Sequence, residues 1–255
     1  MAKIEGQVLF FLATLFSLAV RIICNDYCEI EKAFCHGHQH IACKTTKFPV
    51  GQCFNVEIVK MDHILKETIL HRHNLYRNDV ASGLVGRYPK AAKMQEMAWD
   101  EELAYLATEH VKHCNFEHDK CRATAEFPYA GQNLGFHGTT GHLESLTNIT
   151  KFMIDEWASE HALVDESVVY KFEKSDLKAG HFTVMVREEN CRIGCAMITY
   201  NYKEDSEVWT GVMLTCDYAK TNILHRPVYT VGSPCSGCES IGKTVSTRYD
   251  ALCAP

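Results

Sequence analysis

The sequence lacks the features that most directly assign a function. Its formal net charge is −6 and its basic residues are scattered, so it has no polycationic surface for nucleic acid or an anionic membrane. It contains no Arg-Gly-Asp, which excludes an integrin-blocking loop of that kind, and no H-E-x-x-H helix or nucleophile elbow. Repeats and low-complexity tracts are also missing, and the composition is ordinary, with 46% hydrophobic and 23% charged residues. A chain of 255 residues with this composition can bury the core of one large domain.

The long apolar run at the N-terminus indicates a targeting signal. Lys3 precedes the run at 8–20, and Arg21 and a polar stretch follow it. The run is short for a transmembrane helix and is typical of a secretory signal, so we predict a signal peptide over residues 1–24 with cleavage near Cys24. The alternative is a signal anchor. No other apolar stretch is long enough to cross a bilayer, and we therefore expect a secreted, extracellular protein without a membrane span.

Cysteine usage agrees with secretion. The chain has 13 cysteines, and loss of Cys24 with the signal leaves 13 − 1 = 12, an even number that predicts six disulfides in an oxidising compartment. The remaining cysteines are Cys28, Cys35, Cys43, Cys53, Cys114, Cys121, Cys191, Cys195, Cys216, Cys235, Cys238 and Cys253. Asn148-Ile149-Thr150 is the only N-glycosylation sequon, and we expect Asn148 to carry a glycan at an exposed helix start.

The cysteines divide the mature chain into three parts. Residues 25–60 are predicted to be an irregular, disulfide-stapled arm, although its histidines 36, 38 and 40 leave a zinc site as an alternative. Residues 61–222 hold the periodic segments and form the predicted main domain. Residues 223–255 are predicted to be a coiled tail held by disulfides. The tail's Cys-x-x-Cys at 235–238 lacks a thioredoxin-like βαβ context, which favours a structural role.

Within the main domain, hydrophobic periodicity predicts helices first and an antiparallel meander later. Helices are expected over 62–78, from Asp100 onward, and from 147 or 148 to about 162. Residues 127–141 are expected to form a loop or short strand, and 180–186 a strand with alternating faces. Strands are also expected over 191–202 and 208–217, with a turn between them. This order predicts an α+β fold.

Four polar residues are candidates for one cleft. His181 enters the predicted strand just after a glycine, which would allow its imidazole to point into a cleft. His73 lies on the apolar stripe of the first long helix, where the simpler interpretation is a hydrogen-bonded core histidine. Glu160 ends the stripe of the third helix and is either a solvated helix end or a cleft carboxylate. Gln132 stands where a second carboxylate would favour an enzyme.

Four ordered motifs resemble the CAP superfamily of cysteine-rich secretory, antigen 5 and pathogenesis-related 1 proteins. They are His73-Asn74-Leu75-Tyr76-Arg77, Gly131-Gln132-Asn133-Leu134, Gly180-His181-Phe182-Thr183 and Leu214-Thr215-Cys216-Asp217-Tyr218-Ala219. The resemblance covers roughly residues 60–220 and implies a three-layer α-β-α sandwich with a large central cleft. The N-terminal cysteines and the Gly-Gln-Asn variant resemble insect antigen 5. The tail motif Arg226-Pro227-Val228-Tyr229 resembles the fly branch, which includes salivary antigen 5 of blood feeders.

The resemblance also implies cleft residues. Two histidines and two acidic residues line the cleft in the family, and some members bind zinc or another divalent ion there. Carried over to this chain, they are His73, His181 and Glu160, with Gln132 replacing the second acid. Two imidazoles and a carboxylate form a known zinc ligand set, whereas the alternative is a network of hydrogen bonds through waters.

The predicted function is a non-catalytic secreted binder. Gln132 cannot accept a proton near neutral pH, so a metal-dependent hydrolase is the disfavoured alternative. The resemblance implies a fatty acid, eicosanoid or sterol as ligand, or a host protein as partner, in the manner of a salivary or venom-type effector and allergen. A protein–protein interaction module without a small ligand is the competing hypothesis. No nucleic acid partner is expected.

Overall fold

A computed structural model of the chain describes residues 26–44 and 53–255. The predicted signal peptide and Cys24 therefore lie outside the described residues. The helices are α1 (Tyr27–Phe34), α2 (His63–Ala81), α3 (Glu101–Val111), α4 (Leu146–Ser159) and α5 (Gly180–Met185). The strands are β1 (Phe54–Ile58), β2 (Ala98–Trp99), β3 (Gly131–Thr139), β4 (Arg192–Glu204) and β5 (Glu207–Tyr218).

One sheet organises the molecule. Its strand order is β1-β4-β5-β3, antiparallel throughout, with the short β2 paired parallel to β4. The β4–β5 hairpin turns at Asp205 and Ser206, whose left-handed φ angles of 47° and 73° suit a two-residue turn. The predicted meander is thus present, and each of its two strands is longer than the sequence pattern indicated.

Helices cover both faces of the sheet, as the three-layer sandwich requires. On one face α3 packs its buried Ala107 and Val111 against Ile198 of β4 and Met213 of β5. On the other face α2 and α4 pack against alternate residues of the same strands, such as Met197. The N-terminal end of α3 lies so close to β4 that a Cβ on Gly194 would fall 2.1 Å from the Ala104 nitrogen, so only glycine fits there.

The predicted helix starts at Asp62 and Asp100 are confirmed. Each aspartate side chain accepts a hydrogen bond from the backbone N–H three residues later, at Leu65 and Leu103 respectively. Near the C-terminal end of α2, the completely buried Arg77 donates to the carbonyls of Gln95, Met185 and Arg187. These bonds tie α2 to the segment that follows α5.

The segment 180–186 is not the strand that its alternation predicted. It forms the short helix α5, in which Phe182 to Met185 are all buried. The Thr183 hydroxyl donates to the Ala179 carbonyl four residues earlier, a bond that belongs to a helix. Because every side of this segment is enclosed, its apolar residues carry no period, and a short apolar run does not distinguish strand from helix.

The described parts of the N-terminal arm and of the tail are more ordered than predicted. The arm contains α1, capped by Asp26, and its last residues form β1 at the sheet edge. In the tail, isolated bridges pair Val231 with Ala91 and Cys253 with Gln95. The segment at 127–141 holds the nine-residue strand β3. Asn148 is exposed in the first turn of α4, where its glycosylation stays a prediction.

The prediction of six disulfides is corrected to five within the described residues. Cys191 and Cys235 are half-buried thiols. Cys235 donates instead to the carbonyls of Asp250 and Leu252. The Cys195–Cys216 bond joins the neighbouring strands β4 and β5. The pairs are Cys28–Cys43, Cys35–Cys121, Cys53–Cys114, Cys195–Cys216 and Cys238–Cys253.

Candidate functional site

A cleft of about 530 Å³ opens between the start of β3 and the N-terminal end of α5. Its polar lining includes His118, Gln132, Glu160 and His181. Gln132, Glu160 and His181 were predicted from the sequence, and the structure brings the three together. The fourth, His118, was missed.

The first half of the site is a histidine held by a carboxylate. Glu160 begins a 3₁₀ turn directly after α4, and its Oε1 lies 2.6 Å from His181 Nδ1. Its Oε2 accepts the backbone N–H groups of His181 and Phe182, at 2.9 and 3.2 Å. Since the carboxylate is an acceptor, the neutral His181 ring carries its proton on Nδ1 and presents the Nε2 lone pair. The ring also stacks on Trp157 of α4, with centroids 6.0 Å apart.

The second half is a histidine held by an amide. His118 Nδ1 lies 2.9 Å from the Gln132 side-chain oxygen, and the Gln132 nitrogen donates to both Asp119 (2.7 Å) and Asp217 (3.0 Å). With a carboxylate on either side of its nitrogen, the amide cannot be flipped, so its oxygen must accept from His118 Nδ1–H. The neutral His118 ring therefore also presents Nε2 as a lone pair.

Two aspartates with opposite electrostatics lie behind Gln132. Asp217 is completely buried on β5, and burial raises the pKa of its carboxyl well above the usual value despite nearby Arg122. Burial acts in the same direction on Asp119, but the charge of Arg122 and its hydrogen bond at 3.0 Å hold the pKa of Asp119 below its usual value. Partial burial at the cleft wall lowers the pKa of His118.

The placement of His73 in the cleft was wrong. His73 is completely buried, with Nδ1 2.8 Å from the Ile69 carbonyl and Nε2 2.8 Å from the Tyr218 hydroxyl. Both ring nitrogens are engaged, so His73 is the core histidine that its apolar stripe favoured. It supports the cleft from behind, because Tyr218 accepts a bond from Asn133, whose amide also donates to the His181 carbonyl.

The described residues do not provide a complete protein ligand set for a metal. No group of three or more histidine, cysteine or acidic side chains with metal-binding geometry occurs among residues 26–44 and 53–255. Of the predicted ligands, Glu160 is committed to His181, and His73 is buried elsewhere. The donors that remain for a metal ion are the Nε2 atoms of His118 and His181.

The sequence offered little signal for His118. It lies in the connection between α3 and β3, after Cys114, where no period relates its position to the motifs on either side. Its neighbour Asp119 was equally inconspicuous, and only the pairing of Gln132 with Asp217 across β3 and β5 shows why both matter.

Comparison with known proteins places this architecture in a family. The family model described as CAP, the cysteine-rich secretory protein family, matches residues 70–218. The chain belongs to the CAP family. The matched range also includes β3, β4 and β5, the strands that carry or support the cleft residues. His118, Gln132, Glu160 and His181 all lie inside the matched range.

Insect relatives confirm the antigen 5 resemblance of this CAP protein. Venom allergen-1 of Aedes aegypti is 35% identical over 233 residues, covering 90% of this chain and 88% of the relative. Antigen 5 like allergen Cul n 1 of Culicoides nubeculosus is 36% identical over 199 residues, covering 73% and 89%.

Solved structures confirm the CAP fold. NaASP2 with Zn²⁺ is similar with a TM-score of 0.57 and 25% identity, covering 75% of this chain and 96% of that one. Na-ASP-1 is similar with a TM-score of 0.61 and 27% identity, covering 82% and 51%. Within residues 26–44 and 53–255, no helix is both long and apolar enough to cross a membrane.

Proposed function

We propose that this CAP protein is a secreted, extracellular, non-catalytic binding protein of the antigen 5 type, and that its central cleft takes a small amphipathic ligand. Five disulfides in the described residues suit an oxidising compartment. Relatives named as venom and antigen 5 allergens support an effector role of the venom or antigen 5 type.

One observation supports a binding role: the polar groups of the cleft form hydrogen bonds that orient one another. Glu160 accepts three hydrogen bonds from His181 and Phe182, and the Gln132 nitrogen donates to two aspartates. A general base needs a free acceptor within reach of a substrate proton, and the Glu160 oxygens are already occupied. The two imidazoles are fixed, which suits recognition of a ligand.

The cleft combines this polar floor with an apolar rim. Leu177 and Leu224 line it with large exposed fractions, 58% and 46%. Lys174 lies on the same wall. A fatty acid or eicosanoid carboxylate would pair with the lysine ammonium, and a sterol hydroxyl would donate to an imidazole Nε2. Either ligand would cover the exposed leucines, which fits the general pattern of apolar pockets with few polar groups.

A divalent ion is the second element of the proposal. His118 and His181 would hold it through Nε2, while Gln132 and Glu160 would orient the two rings from behind, as outer-shell partners do in metal sites. The donor set fits a borderline ion such as zinc, with waters completing the shell. The relative NaASP2 has been solved with Zn²⁺. Such an ion would give an anionic ligand a further point of attachment.

Native mass spectrometry of the secreted protein tests the ligand. We expect an added mass of one small molecule, lost in the variant Leu177→Asp and kept in the control Leu163→Asp, whose side chain is exposed to a similar degree but lies outside the cleft. Titration of the emptied protein with palmitate, a prostaglandin and cholesterol then separates the three ligand classes. Failure of all three to bind would contradict the proposal.

A protein-interaction module is the second candidate, supported by exposed aromatic residues near the end of β3, including Phe116 and Phe136. A metal-dependent hydrolase has the least support. Gln132 cannot take up a proton, and Glu160 is already bonded.

A further inference from the structure

Among the described residues, no strand pairs with the outer edge of β3. β3 is the last strand in the order β1-β4-β5-β3, and its nine residues pair with β5 without a register break. It contains no lysine, acidic residue or proline. The opposite edge is different, because β1 has five residues, an irregular register after Phe54 and a left-handed Asn55. Short length and bulges protect strand edges from pairing, and β3 has neither.

The hydrogen-bond register identifies which backbone groups face outward. Ala219 N–H donates to the Arg192 carbonyl, so the odd-numbered residues of β5 bond to β4 and the even-numbered ones bond to β3. Their partners on β3 are odd-numbered, which leaves the N–H and C=O groups of its even-numbered residues pointing away from the sheet. Leu134 agrees, since its carbonyl accepts from Trp157 Nε1 at 3.0 Å.

Beyond Leu134 the edge is open. Phe136 and Gly138 are the next two residues that face outward, and no hydrogen bond from another described element reaches their backbone groups. Phe136 is 40% exposed, and His137, Gly138 and Thr139 are half-buried. The free stretch therefore offers two N–H and two C=O groups at strand spacing.

A groove of about 490 Å³ runs beside this edge, between β3 and α4. Phe152 forms its outer wall with half of its surface exposed, and Met153 lies against Gly135 at the base. Glu156 lines the groove with an exposed carboxylate that forms no salt bridge in the described part of the chain. The groove adjoins the cleft at Glu160 and His181, and its other eight lining residues lie outside the cleft.

We propose that an extended segment of a partner protein adds to β3 as a further strand at Phe136 and Gly138. An extended backbone is the occupant that supplies donors and acceptors at this spacing, whereas a lipid chain leaves those groups unpaired. The segment places an apolar side chain over Phe152 and a basic side chain opposite Glu156. This surface goes beyond the proposed cleft function and does not depend on it.

Hydrogen exchange on the full secreted chain tests the register directly. Random dodecapeptides are displayed and selected on the protein, and the selected peptide is synthesised as the probe. We expect its binding to slow amide exchange at Phe136 and Gly138 by at least about tenfold while His137 and Thr139, already bonded to β5, stay unchanged. N-methylation of every second peptide residue is expected to abolish binding when it blocks the N–H groups that face β3. It is expected to leave binding intact when it blocks the N–H groups that face away.

Surface variants locate the peptide. Phe152→Lys and Glu156→Lys are each expected to weaken binding at least about fivefold, and the controls Leu163→Lys and Glu126→Lys, at exposed sites away from the groove, are expected to have no effect.

Three results would overturn the proposal. The first is a selection that yields no peptide sensitive to Phe152→Lys. The second is protection that does not alternate along β3, which would indicate an apolar ligand in the groove. The third is protection of Phe136 and Gly138 that rises with protein concentration alone, together with a dimer in sedimentation, which would assign the edge to a second copy of the chain. None of these results depends on whether the cleft binds a ligand.

Discussion

Gln132 and Asp217 face each other across β3 and β5, and the Gln132 amide nitrogen lies 3.0 Å from Asp217 Oδ1. The same nitrogen contacts Asp119, so one neutral amide separates two buried carboxyl groups. One oxygen of each, Oδ2 of Asp217 and Oδ1 of Asp119, has no hydrogen-bond partner in the described structure. A carboxyl group is thus present directly opposite Gln132 on the neighbouring strand, with one oxygen buried in the protein interior.

The two aspartates predict opposite effects of the same substitution. Because burial raises the pKa of Asp217 in the folded state, the wild-type protein loses stability as the pH rises from about 4 through that raised pKa. Asp217→Asn removes the charge, and we expect it to increase the free energy of unfolding by about 1–2 kcal/mol at pH 8. Urea denaturation at pH 5 and pH 8 measures the effect, which should be larger at pH 8.

Asp119→Asn is the matched control. The pKa of Asp119 is lowered, so its charged form contributes stability above its unfolded pKa of about 4 that is lost as the pH falls through the folded pKa. The variant weakens the bond to Arg122 and should lower the free energy of unfolding by about 1–3 kcal/mol at pH 8. Equal effects of the two substitutions, in sign and size, would contradict the assignment of the charge to Asp119.

Zinc binding distinguishes the cleft histidines from the core histidine. We expect His118→Ala and His181→Ala each to weaken zinc binding by at least about tenfold, because each removes a ligand. Glu160→Gln should weaken it about tenfold by releasing the His181 ring. Isothermal titration with zinc chloride provides the measurement, and His73→Gln serves as the control with unchanged affinity. Unchanged affinity in both alanine variants would exclude the metal site.

The buried His73 is expected to make the protein less stable at acidic pH. Burial lowers its pKa from 6.5 to about 4, so the unfolded chain takes up a proton before the folded one does. The free energy of unfolding should therefore fall between pH 6.5 and about 4, by roughly 3 kcal/mol from this group alone. Denaturation at a series of pH values should show a shallower fall in His73→Gln than in the wild type. An identical pH dependence in both proteins would exclude His73 as the titrating group.

Capped, periodic helices could be predicted from the sequence, because both of their determinants are local. Asp62 and Asp100 cap helices with an apolar stripe, and both helices begin where expected. The segment at 180–186 could not be assigned in this way. Its side chains are enclosed by α4, β3 and the tail, so the surroundings decide between strand and helix.

The candidate site divides along the same line. Glu160 ends a helical stripe and His181 follows a glycine in a recognisable motif, so both could be singled out from the sequence, and the structure joins them by a hydrogen bond. Whether His73 or His118 joins His181 in the cleft could not be predicted from the sequence. His73 occupies a regular helix whose stripe continues into the core, whereas His118 reaches the cleft only because the connection after α3 folds back onto β3. Contacts of that kind depend on tertiary structure and leave no period in the sequence.

The free energy of unfolding is predicted to depend strongly on the guanidinium geometry of Arg77. It is completely buried and donates to four backbone carbonyls, those of Gln95, Met185, Arg187 and Glu188. The single ammonium nitrogen of a lysine cannot bond to all of these carbonyls at once. Arg77→Lys should therefore lower the free energy of unfolding by about 2–4 kcal/mol. The control Arg72→Lys alters a partly exposed pair with Asp155 and should cost less than about 1 kcal/mol. Similar losses in the two variants, measured by urea denaturation, would contradict the role assigned to Arg77.

The two unpaired cysteines predict a specific labelling pattern. Cys235 donates to the Asp250 and Leu252 carbonyls, and burial raises the pKa of its thiol, so the reactive thiolate is scarce in the folded protein. Iodoacetamide should therefore label Cys235 slowly in the native state, and it should label both Cys235 and Cys191 rapidly once urea unfolds the unreduced chain. Peptide mapping should recover the five bridged pairs intact. A peptide linking Cys191 to Cys235 would restore the six disulfides that the even cysteine count predicted, and it would require the Cys235 thiol to leave the Asp250 and Leu252 carbonyls.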